Sequence, residues 1–213
     1  VYALAFVNIY HTDHPWITAS QWIYDNVPAG SLILSEQWDD SLPTSLAYHG
    51  EKRVRAEYAN QELTWLTGSG ERDSEEKLAA NLDLLAEADY LTLVTNRVYG
   101  VAPRLPEAYP LSGQYHQLLF DGALGYELVW VNGRYPHLGS LFYRPDTFGW
   151  PGLTPPEGVA HYLAETMPGL SGGRVDESFV VYDQPLVLIF RNVGGMSAAE
   201  MGILFETGAP LRE

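Results

Sequence analysis

The chain has 213 residues, 46% of them hydrophobic, which is enough for one large domain with a sizeable core and too apolar for a disordered chain. Its 27 acidic and 12 basic side chains give a formal net charge of -15, which argues against a nucleic-acid partner and disfavours docking on an anionic membrane leaflet. With no cysteine, disulfides, thiolate zinc sites and thiol catalysis are excluded, and there is no run of the roughly twenty apolar residues that a membrane-spanning helix needs.

Residues 2–10 read as a strand of aromatic and β-branched residues, with the last turns of a membrane helix as the alternative. The abrupt apolar opening without Met reads as a domain cut from a longer polypeptide. Thr12 or Asp13 is suited to cap a helix starting near Pro15, and Ile17, Trp22 and Ile23 share one of its faces. Pro28-Ala-Gly30 ends that helix, and Ser31–Ser35 is the next strand. The segment 42–48 reads as a short helix, 51–55 as a charged turn, and 58–67 as extended or briefly helical. Ser74–Ala88 carries the clearest helical signal, with Leu78, Leu82 and Leu85 at helical spacing behind an Asp73 or Ser74 cap. A buried strand at 90–95 follows, then a proline-marked loop, a helix over 112–124 stopped by Gly125, and a strand at 126–132.

Residues 133–173, rich in Gly, Pro and aromatic residues, read as an irregular lid or insertion with one helix near 156–166. Glu177–Tyr182 and Pro185–Arg191 read as an antiparallel hairpin closing one sheet edge, and 197–207 as a terminal helix. The alternation of helices with short apolar strands predicts one α/β domain over 1–213. Its expected core is a mixed, largely parallel sheet flanked by helices on both faces, a three-layer arrangement of Rossmann type.

Open α/β sheets place ligands beyond the carboxyl ends of their strands. Ser31–Ser35 empties there into Glu36-Gln-Trp38-Asp39-Asp40, closed by Pro43. Three carboxylates within five positions suit backbone capping, a hard divalent cation, or the acid and base of glycosyl chemistry. Asn96-Arg97-Val-Tyr99 occupies the corresponding place after the strand at 90–95, and Arg97 with Arg104 suits a phosphate or uronic acid, or pairing with the plentiful acidic side chains. His11 and His14 flank Asp13 without an evident third metal ligand, and capping of the next helix suits them better. His49, His116, His137 and His161 show no pattern. Dinucleotide, Walker, zinc-protease and nucleophile-elbow motifs are absent.

Ala19-Ser-Gln-Trp22-Ile23-Tyr-Asp-Asn26-Val-Pro28-Ala-Gly30-Ser31, followed by Glu36-Gln-Trp38-Asp39-Asp40-Ser-Leu42-Pro43, resembles the soluble part of large bacterial multi-spanning membrane proteins. These are the glycosyltransferases of the dolichyl-phosphate-mannose-protein mannosyltransferase type, with the related YYY-named membrane family. Further matches are Ala88-Asp89-Tyr90, Asn96-Arg97, Tyr99-Gly100, Arg104-Leu-Pro106, Tyr115, Leu119-Phe120, Leu124-Gly125-Tyr126 and the run from Glu177 to Phe190, so the resemblance covers about residues 11 to 191. Gln184 departs from a His expected before the proline, and His14-Pro15-Trp16 stands where a basic residue is commoner.

The resemblance implies an extracytoplasmic accessory domain whose partner is the membrane domain of the same polypeptide. The catalytic acidic loop, using a polyprenyl-phosphate-linked sugar, lies in that missing membrane part. It further implies a glycan or lipid-linked sugar as ligand, with Trp38 as sugar platform. Glu36, Asp39 and Asp40 would accept hydrogen bonds or hold a divalent cation, and Arg97 with Tyr99 would meet an anion. The competing expectations are a free-standing carbohydrate hydrolase using Glu36 with Asp39 or Asp40, and a purely structural or interaction domain.

Overall fold

The computed structural model describes residues 1–37, 40–66, 72–148 and 153–207. A five-stranded sheet forms its centre, in the order β4 (Ala59–Leu63), β1 (Leu32–Glu36), β5 (Tyr90–Leu93), β10 (Leu186–Asn192) and β6 (Tyr126–Gly133). β1 runs parallel to β4 and β5, and β10 runs antiparallel to both β5 and β6, so four of the five strands share one direction. The expected α/β architecture is therefore present.

Strand periodicity explains the layers, because alternate side chains point to opposite faces. Ile33, Val187 and Ile189 pack beneath α2 (Pro15–Asn26) with its Ala19 and Ile23. Leu34, Leu91, Leu188 and Phe190 pack on the other face against α3 (Glu75–Glu87), α4 (Pro110–Phe120) and α7 (Ala198–Glu206). Each large side chain so buried contributes about 1.5–3 kcal/mol relative to exposure. Serine caps fix two of these helices: Ser74 accepts from the Lys77 N–H at 3.1 Å, and Ser197 forms a reciprocal capping box with Glu200. The cap of α2 is neither Thr12 nor Asp13. His14 takes that role, its Nδ1 accepting the Trp16 N–H at 3.2 Å.

Three local expectations are corrected. Residues 2–10 are not a strand but α1 (Tyr2–Val7) followed by a 3-10 turn over Asn8–His11. Ala3, Leu4 and Ala5 are strong helix formers, and helical spacing lets Ala5 and Ile9 bury together. The segment 42–48 is not helical. Leu46–Tyr48 is β2, paired with β3 (Glu51–Arg53) through His49 and Gly50, both at positive φ (51° and 82°), the backbone a two-residue hairpin needs.

The C-terminal hairpin does not form either. Asp176 caps a short helix, α6 (Glu177–Val180), by accepting from the Ser178 N–H, while β10 inserts between β5 and β6. There Gly125 and Gly194 meet backbone to backbone, and the N–H groups of Val193 and Gly194 both donate to the Gly125 carbonyl at 2.9 Å.

The region 133–173 is organised as a small sheet, β7 (His137–Leu138), β8 (Leu141–Asp146) and β9 (Gly169–Arg174), with α5 (Glu157–Thr166) beside β6. α1 lies along this sheet. Asn8 donates to the His137 carbonyl at 2.8 Å, and the Tyr2 and Tyr143 rings meet edge to face at 5.5 Å. An apolar groove between them is lined by Tyr2, Ala5, Leu138, Leu141, Phe142 and Leu170. Segments 1–10, 135–143 and 167–173 hold no Asp, Glu, Lys or Arg. Leu4, Leu141 and Leu170 are nonetheless 68%, 55% and 63% exposed. No helix among the described residues is long and apolar enough to cross a membrane.

Candidate functional site

Because β1, β5 and β6 share a direction, Glu36, Thr95 and Arg134 all emerge at one edge of the sheet. That edge is where ligands bind in open α/β folds. Two polar clusters stand there, one sealed and one open.

The sealed cluster holds Glu36, which is 3% exposed. Its Oε1 lies 2.8 Å from Nε2 of the fully buried His116 on α4, whose Nδ1 lies 2.7 Å from the Ser112 carbonyl. A carbonyl can only accept, so Nδ1 carries a proton. The Nε2–Oε1 contact then needs a second proton, held as imidazolium and carboxylate or as imidazole and carboxylic acid. Either way the buried pair is neutral overall.

Tyr115 closes the cluster, stacked on Trp65 at 4.7 Å. Burial pushes its phenol well above the ordinary range, and the neighbouring Glu36 adds to this. Tyr99 belongs to the same interior: it is fully buried, stacked on Phe148 at 5.1 Å and edge-on to His116 at 6.1 Å. Glu36 and Tyr99 are thus brought together, but facing inward. Asp40 is exposed, and Trp38 and Asp39 lie outside the described residues.

Arg97 points elsewhere. Its guanidinium sits 5.8 Å above the Tyr182 ring and donates to the Tyr182 hydroxyl at 3.4 Å. Arg104 does not join it, pairing with Asp176 at 2.6 Å. Hydrogen bonds from the Glu177 carboxyl and the Arg104 guanidinium hold the Asp176 carboxyl well below the usual range, and Glu177 is pushed up in turn.

The open cluster joins His14, weighed above as a metal ligand or a helix cap, to Tyr10, Arg134 and Asp183, which carried no expectation. His14 Nε2 lies 2.9 Å from the Tyr182 carbonyl, which leaves Nδ1 free to accept at the helix cap. Tyr10 donates to the Asp183 carboxylate at 2.7 Å. Arg134, 8% exposed, donates from Nε to the Asp183 carbonyl at 3.1 Å and from Nη1 to the Thr12 carbonyl at 3.4 Å, with its guanidinium 5.3 Å from the Tyr10 ring centroid. Burial lowers its pKa. These residues come from three chain segments, 10–14, 134 and 182–183, so no single local spacing announced the cluster. Among the described residues no group of three or more His, Asp or Glu side chains stands close enough to hold a metal ion.

Comparison with protein-family models, curated proteins and solved structures finds no match to this chain.

Proposed function

We propose that this chain is an extracytoplasmic domain of a membrane-embedded glycosyltransferase that uses a polyprenyl-phosphate-linked sugar. It rests against the membrane part of the same polypeptide and helps hold the acceptor or glycan. Sugar transfer itself takes place in that membrane part.

The observation that carries this reading is the bare face of α1 and β7–β9. On a chain of net charge -15, three charge-free segments meet on one side and leave large aliphatic side chains in water. An amphipathic surface helix has one polar face. α1 has none, so its outer sides gain by being covered. The inward pairing of Glu36 with His116 favours an accessory role over a hydrolase, because a glycosidase carboxyl must reach the glycosidic bond and Glu36 is buried against a buried imidazole.

The test is an antibody blot of fractionated source cells. A membrane-fraction band far above 23.7 kDa is expected, and Leu4→Asp with Leu141→Asp in that polypeptide should reduce sugar transfer in isolated membranes. A soluble band near 23.7 kDa would overturn the proposal.

A further inference from the structure

Beside the bare face, behind Phe142, lies a separate cavity of about 260 Å³, lined by Thr12, Asp13, Arg134, His137, Phe142 and Met167 among others. Its volume lies just under the usual small-molecule range of about 300–1,000 Å³, which suits one ring-sized ligand. The chain carries 27 carboxylates. Among the described residues, however, none lies within ion-pair distance of Arg134, which is more than nine-tenths buried; the Asp183 carboxylate acts on it from farther off and accepts the Tyr10 hydroxyl instead. A buried charge is ordinarily paired. Two of its five N–H directions are used, both on backbone carbonyls, so the planar fork keeps donors for a carboxylate.

The rest of the lining suits a polyhydroxylated ring. His137 Nδ1 is held at 3.1 Å by the Tyr135 carbonyl, so Nε2 is left as an acceptor. Thr12 spends its hydroxyl hydrogen on the Ile9 carbonyl and keeps lone pairs. Asp13 is an exposed carboxylate that can accept from ring hydroxyls. Phe142, stacked on His137 at 4.9 Å, and Met167 supply apolar walls for C–H faces.

We propose that this cavity binds a sugar acid, with Arg134 gripping the carboxylate and His137, Thr12 and Asp13 reading hydroxyls. The inference rests on the glycan-holding part of the function proposed above and moves its site from the acidic loop at 36–40 to the end of β6.

The experiment is calorimetric titration of the 213-residue chain with glucuronate, galacturonate, glucose and inorganic phosphate. A uronate should bind at least about tenfold more tightly than glucose, and Arg134→Lys should lose about tenfold, because an ammonium cannot replace a planar fork. Met167→Trp, which fills the cavity from its apolar wall, should abolish binding even if the arginine variant fails to fold. Uronates binding no better than glucose, phosphate binding more tightly than either uronate, or undiminished uronate binding in Met167→Trp would each overturn the assignment. A membrane-fraction band without uronate binding removes only the ligand. Uronate binding with a soluble band removes only the membrane setting.

Discussion

The five-stranded sheet covers both of its faces, with Phe190 and Leu188 under α3, α4 and α7 and Ile189 under α2, whereas β7–β9 leaves Leu138, Leu141 and Leu170 in water beside α1. The two regions use similar residues for different ends. In the first, apolar area removed from water stabilises the fold. In the second it remains exposed, so its value is realised only on contact with something else. On the function proposed above, stability and interaction are divided between two parts of one chain, and substitutions can separate them.

The largest effect is expected inside the covered sheet. Glu36→Ala leaves the buried His116 without its partner and should cost about 3–5 kcal/mol, read by urea denaturation. A loss below about 1 kcal/mol would mean that the pair does not tie α4 to β1.

A smaller effect is expected where α1 hands over to α2. Removing a side-chain cap costs about 1 kcal/mol, so His14→Ala should lower stability by that order. Burial holds the His14 pKa below its ordinary 6.5. The folded state therefore favours the neutral ring, and its contribution is complete above pH 6.5 and is lost as pH falls below that value. Protonation would also occupy the Nδ1 that accepts from Trp16. Because the imidazole meets the Trp16 indole edge-on at 4.9 Å, indole fluorescence should titrate in the same window and cease to do so in His14→Ser.

The smallest effect is expected on the bare face. Leu141→Ser and Leu170→Ser should each change stability by less than about 0.5 kcal/mol while reducing any association of the domain with membranes. A large stability loss there would erase the distinction between the two regions.

The layered architecture was legible because long periodic segments announce themselves: Leu78, Leu82 and Leu85 for α3, and the alternation of Ile33 and Leu34 for β1. The misread pieces are short, and in each a local feature overrides composition. Phe179-Val-Val-Tyr182 has strand-like side chains, yet the Asp176 cap turns its start into a helix. In α1 the aromatic residues give a strand-like composition that masks the helical spacing of Ala5 and Ile9.

The site was less legible. Glu36 stands out in the sequence at the end of β1, but the side chain it pairs with, His116, lies 80 positions away. A signal did exist: Ser112, Tyr115, His116 and Leu119 form one helical stripe, and a histidine on a buried stripe needs a partner. Arg134 gave no such signal, since its surroundings are assembled from Thr12, Tyr10 and Asp183 only in three dimensions.

The contact between Gly125 and Gly194 sets a limit on variation that has nothing to do with chemistry at either residue. A methyl group added at Gly194 would stand 2.7 Å from the Gly125 Cα, and Gly125 itself sits at φ 75°. In a saturation library these two positions should tolerate almost no replacement, although neither carries a side chain. What is preserved there is empty space, the clearance that lets β10 come alongside β6 and close the sheet.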